Sequence, residues 1–161
     1  MGAIRERDQV ACHRCGEEGH CVRGRGRFGL MASSCAPCWH VFANAMAEAD
    51  GATAAPRADP GPDDVAWIEP TVCPECGASV RVYPTTYDRW VSLSTLELPA
   101  KDVPEVFRWR LTRLSGRPPV PTDIVAVRVR GTDPLPSEAV VPAHRMTCVP
   151  GWGVPQPTAP A

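Results

Sequence analysis

Apolar residues form one helical stripe in the first third of this chain and short alternating runs in the second half. Trp39, Phe42 and Met46 recur at three- and four-residue intervals within an alanine-rich, glycine-free run that stops at Gly51. That spacing predicts a helix with Ser34 as its N-cap and Gly51 as its terminator. Ahead of it, Glu17 to Ser34 is interrupted by Gly19, Gly24, Gly26 and Gly29, the composition of a short irregular hairpin. Farther along, Val80 and Val82 flank Arg81, the stretch Pro84 to Asp88 reads as a turn, and Arg89 to Leu93 resumes an extended run. Val106 to Leu114 alternates, with Phe107, Trp109 and Leu111 on one face and Arg108, Arg110 and Thr112 on the other. Asp123 to Arg130 repeats the pattern, with Val125, Val127 and Val129 inward and Ala126, Arg128 and Arg130 outward. Ser115 to Thr122 between them is a Gly/Pro loop. A small antiparallel sheet with one buried face accounts for these runs.

Composition adds a constraint. The 161 residues include 19 prolines and 13 glycines, too many for long elements and for a large continuous core. The eight cysteines are the available staple. The start, Met1 to Asp8, carries charges where a secretory leader needs an apolar run, and no stretch approaches the roughly 20 apolar residues of a membrane span. A cytoplasmic chain is therefore expected, and with three C-x2-C pairs it favours zinc over disulfides.

The cysteines are placed for two four-ligand sites. Cys12-His13-Arg14-Cys15-Gly16 is a metal-binding knuckle, and Cys35-Ala36-Pro37-Cys38 opens the predicted helix. Knuckle, hairpin, then a helix carrying two more cysteines in its first turn is the order of a treble-clef zinc finger. Cys12, Cys15, Cys35 and Cys38 are its expected ligands. Cys73-Pro74-Glu75-Cys76-Gly77 is a second knuckle, a tight turn aiming two sulfurs at one point. Its best complement is His144 and Cys148, in an H-x3-C spacing, which would close residues 77–143 into one zinc-ribbon-like loop. Two structural Zn2+ ions are the expected cofactors.

Other readings compete at the first site. Cys12, Cys15 and His20 begin a nucleic-acid knuckle whose fourth ligand falls on Arg25, so the pattern fails, though His20 or Cys21 could replace one ligand. Cys35 and Cys38 at a helix start are similar to a thioredoxin-type redox pair, but that motif follows a buried strand, and Phe28 to Ser34 is weakly apolar.

The second half also resembles an uncharacterised actinobacterial family of short proteins. The residues that carry the likeness are Cys73-x2-Cys76-Gly77, Tyr87-x-Arg89-Trp90-Val91-x-Leu93, Leu98-Pro99-Ala100-x2-Val103-Pro104, Arg108-Trp109-Arg110 and His144-x3-Cys148. The resemblance covers residues 71–149 and implies that Cys73, Cys76, His144 and Cys148 act together. It implies no activity.

The expected fold is therefore small, zinc-stabilised α+β. A treble-clef-like finger occupies residues 1–50, a disordered linker 51–70, a zinc-ribbon-like antiparallel β domain 71–149 and a disordered tail 150–161. The net charge is -1, so charge alone does not call for nucleic acid. Alternation could nonetheless bring Arg108, Arg110, Arg128 and Arg130, joined by Arg81, onto one anion- or nucleic-acid-binding sheet face. The chain carries no Ser/His/Asp arrangement, phosphate-cradling loop or H-E-x-x-H, and four-ligand zinc sites are closed. A non-enzymatic interaction module follows, its partner a protein slightly ahead of nucleic acid and not a membrane. A thiol-redox or zinc-handling protein using the CxxC pairs is the alternative.

Overall fold

The computed structural model describes residues 10–53, 70–113, 124–131 and 133–151. Most of the expected linker, the Gly/Pro loop from Ser115 to Thr122 and most of the tail lie outside the described residues. The chain divides into two units, Met1–Pro56 with Thr86–Arg89, and Arg57–Thr85 with Trp90–Ala161.

In the first unit, strands β1 (Arg23–Arg25) and β2 (Ala32–Ser34) pair antiparallel, with Gly24 opposite Ser33. Helix α1 spans Ala36–Asp50. Its N-cap is Cys35, not Ser34 as the sequence suggested, and no side chain caps it. Ser34 instead ends β2, buried, with its hydroxyl donating to the Cys35 carbonyl. Pro37, in the first turn, fits there because that turn has no intrahelical use for an amide. Gly51 closes the helix in the left-handed region at φ 68°, and the Ala52 amide turns back to the Ala47 carbonyl at 2.8 Å. Trp39, Ala43 and Ala47, four residues apart, form one stripe that packs with Tyr87, flanked by Leu30, Phe42, Met46 and Ala52.

This unit also contains a polar cluster that alternation could not reveal. The Arg89 side chain, 1% exposed, donates through Nε and one terminal nitrogen to Asn44 Oδ1 at 3.0 and 2.8 Å, and lies 3.2 Å from His40 Nδ1. Desolvation lowers its pKa below the ordinary arginine value, with Asp88 opposing. The Tyr87 hydroxyl donates to the buried Asp50 carboxylate at 3.1 Å, and Trp39 Nε1 donates to Asp88 at 3.1 Å.

The second unit holds two antiparallel sheets. Strands β3 (Thr71–Val72), β4 (Ser79–Pro84) and β5 (Trp90–Ser94) form one in sequence order. Strands β6 (Leu98–Pro99), β7 (Arg108–Arg113), β8 (Ile124–Arg128) and β9 (Ala139–Pro142) form the other, in the order β6-β9-β7-β8. Single bridges, Thr85 to Ala126 and Leu93 to Ala143, join the sheets. Strand β7 begins later than the alternation from Val106 suggested. Pro104, with φ fixed near -56°, leads into a 3-10 turn over Glu105–Phe107.

The expectation of a single buried face is corrected by the register. Trp109 stands opposite Arg128, and Thr112 opposite Val125. Directly opposed residues of an antiparallel pair project from the same face. Trp109 and Val125, both 0% exposed, are therefore on opposite faces, and the four-stranded sheet is covered on both sides. Ala126, expected outward, is 0% exposed, because its backbone bridges to Thr85 in the other sheet.

Candidate metal centres

Each C-x2-C-G stretch folds into the same backbone turn. At the first, the Cys12 amide donates to the Glu17 carbonyl at 2.7 Å and the Gly16 amide to the Cys12 carbonyl at 2.8 Å. At the second, the Cys73 amide donates to Ala78 at 2.8 Å and the Gly77 amide to Cys73 at 2.9 Å. Both turns need a residue at φ near +73°, which explains the glycine after each second cysteine.

Different elements complete the two clusters. Cys35 sits at the N-cap of α1 and Cys38 in its first turn. His144 opens a 3-10 turn over His144–Met146, and the Cys148 amide donates back to the His144 carbonyl at 3.0 Å, so one turn of chain puts both side chains on the same side. The four sulfurs of Cys12, Cys15, Cys35 and Cys38 lie within 4.8 Å of one another, and so do the ligand atoms of Cys73, Cys76, His144 and Cys148. The fit to a metal can be tested on the separations. A tetrahedral site with metal-sulfur bonds of about 2.3 Å has S···S edges near 3.8 Å, and an S···N edge near 3.6 Å where imidazole replaces one sulfur. Cys15 Sγ and Cys35 Sγ are 3.8 Å apart, Cys73 Sγ and Cys148 Sγ 3.9 Å, and Cys76 Sγ and His144 Nε2 3.4 Å. A disulfide would need about 2.05 Å, and all eight cysteines are free thiols. Both clusters could hold a metal ion, and neither leaves a ligand position open.

The electrostatics point the same way. Backbone amides, that of Cys35 first and then those of Cys15 and Arg14, hold the Cys12 thiol down at about 5. The amides of Cys76 and Glu75 hold Cys73 down at about 6. The neighbouring Cys35 and Cys15 side chains push Cys38 up to about 12, and burial, followed by Cys76 and Cys73, pushes Cys148 up to about 12. Each turn thus stabilises one thiolate, whereas the neighbouring cysteine side chains, with burial first at Cys148, oppose ionisation of Cys38 and Cys148. A central dication removes the opposition.

Outside the ligands, Ser34 Oγ lies 3.8 Å from Cys12 Sγ, and Cys148 Sγ lies 3.7 Å from the Glu75 carboxylate. Ser34 was legible only as a helix cap; its contact depends on the pairing of β2. Neither His20, which is exposed, nor the partly buried Cys21 enters a cluster among the described residues.

The arginine face expected from alternation is corrected. Arg108 and Arg110 project from one face of the sheet, but Arg128 stands opposite Trp109 and projects from the other. There its guanidinium lies 5.7 Å from the Trp109 ring centroid and donates to the Glu105 and Arg108 carbonyls at 2.6 and 2.7 Å. Arg110 is ion-paired with Asp133 and Glu138, Arg108 donates to the Val103 carbonyl at 2.7 Å, and Arg130 is exposed beyond the end of β8. Alternation set the polarity within each strand, and the pairing register, which it does not set, separated the arginines.

The fold and these clusters define a small α+β protein with one helix and antiparallel sheets among the described residues. It bears one constellation of four cysteines and one of three cysteines with a histidine, both suited to a metal. Residues 62–120 match a family described as "Family of unknown function (DUF6083)". The match includes Cys73, Cys76 and the Arg108-Trp109-Arg110 stretch but stops short of His144 and Cys148. No curated protein and no solved structure matches the chain.

Proposed function

We propose that both clusters hold structural Zn2+ and that the chain is a non-enzymatic interaction module. In this reading residues 1–50 form a treble-clef-like finger and 71–149 a zinc-ribbon-like β domain, with 51–70 as linker and 150–161 as tail, acting in the cytoplasm. The observation that carries it is the edge length of the two clusters, 3.8 to 3.9 Å between sulfurs and 3.4 Å to the imidazole, which suits zinc with thiolate and imidazole ligands. A full set of four protein ligands leaves no position for water or substrate, so the metal's role is to fix the fold, a contribution on the order of 10 kcal/mol per site. Separation of the arginines between two faces favours a protein partner over nucleic acid.

Metal analysis of the purified chain, paired with thiol alkylation, tests the reading. Two zinc ions per chain are expected, with the seven clustered cysteines resisting iodoacetamide until a chelator is added and secondary structure that collapses when it is. Immediate alkylation of Cys35 or Cys38 with no metal released would replace this reading with the thiol-redox alternative.

A further inference from the structure

We propose that the first unit binds a partner peptide in which an apolar anchor side chain lies close to a carboxylate. This deepens the interaction-module reading and rests on it. The site is a cavity of about 480 Å³ beside the four-cysteine cluster, whose walls include Leu30, Met31, Trp39 and Phe42, with His13 and Arg14 at the rim. That volume is in the range of sites that take a compact organic group.

Two observations converge on it. The first is exposed apolar surface: the lining residue Met31 is 69% exposed. The second is charge. Among the described residues no acidic side chain lines the cavity and no carboxylate pairs with Arg14, which is exposed. An apolar hollow edged by an exposed guanidinium complements an apolar side chain with an acid beside it. The knuckle sets this geometry, since Arg14 lies between two ligands and its backbone amide is among the donors to the Cys12 thiolate.

The test pans a displayed library of random peptides against the zinc-loaded full chain, with the Arg14→Glu/Met31→Glu double variant as counter-selection. Both side chains are exposed, so the variants should keep their fold and zinc content, which is measured on the same samples. Enriched peptides should carry Asp or Glu within a few residues of Phe, Leu or Met. They should shift the amide signals of Leu30, Met31 and Phe42, and lose about tenfold or more in affinity for Arg14→Glu but little for Arg14→Lys. Peptides that bind the double variant equally, that are basic, or that shift signals elsewhere overturn the proposal, as does failure to enrich any peptide. So does an oligo-dT strand that displaces the selected peptide through this same surface, which would make the hollow a nucleic-acid site. A zinc-free chain would sink the metal reading itself, whereas a zinc-loaded chain that enriches nothing sinks only the peptide site.

Discussion

Replacing Gly26 by alanine should destabilise the first unit by about 2 to 5 kcal/mol, and two separable causes add up to that figure. Gly26 has φ +81°, where an L-residue costs about 1–2 kcal/mol. A Cβ built there would lie 2.7 Å from the Leu30 carbonyl oxygen and 2.7 Å from the edge of the Trp39 ring. The first of these is backbone and the second belongs to the helix stripe, so neither yields without moving a neighbour, an overpacking cost of about 1–3 kcal/mol. Gly24, two residues earlier in β1, supplies the control, because its Cβ would meet nothing within 4 Å and its φ is not left-handed. Gly24→Ala should be neutral or stabilise by up to about 1 kcal/mol. Urea unfolding of the zinc-loaded chain, followed at the indole N–H signal of Trp39, reads the first unit alone. If the two variants unfold within about 1 kcal/mol of each other, the steric account of this turn fails, and with it the placement of Trp39 as one wall of the cavity.

Two further outcomes are expected. Tyr87→Phe leaves the buried Asp50 carboxylate, at the C-terminal end of α1 where the helix field already disfavours an anion, without its tyrosine donor. Denaturant unfolding should show a loss of about 1–3 kcal/mol, and an unchanged midpoint would mean that the hydroxyl contact is idle. Acidification should release metal from the cluster that contains His144 before the four-cysteine cluster. A depressed thiol pKa stabilises the folded ligand set above the ordinary value of 9.0 and loses that effect as pH falls through the folded value, about 6 at Cys73 and about 5 at Cys12. Zinc release into a chelating dye, resolved by the His144 and Cys38 signals, would contradict this if the order were reversed.

The unequal legibility of these features has a physical cause. The two clusters could be read because a knuckle is a local object. Two cysteines, the intervening turn and a glycine at φ near +73° fix where the sulfurs point within five residues, and the H-x3-C turn does the same for His144 and Cys148. The helix was legible for a similar reason, with Gly51 supplying the left-handed stop. Strands β7 and β8 also showed their alternation plainly, yet the faces were misassigned, because the pairing of Trp109 with Arg128 depends on residues far apart in the chain. A one-residue difference in register moves every side chain of a strand to the other face. The strands β3, β6 and β9, two to four residues long, are too short to display any period, and they pair only because neighbouring strands hold them. The same limit hid Asp50, Tyr87 and Arg89, polar residues whose burial no local pattern announces, and the hydrogen bonds that join them to each other and to the exposed Asn44 across about 40 residues of chain. Local chemistry therefore placed the sulfurs, whereas long-range pairing decided which surfaces were left to meet a partner. That is why the arginine face dissolved and the hollow beside Arg14 came to light only in three dimensions.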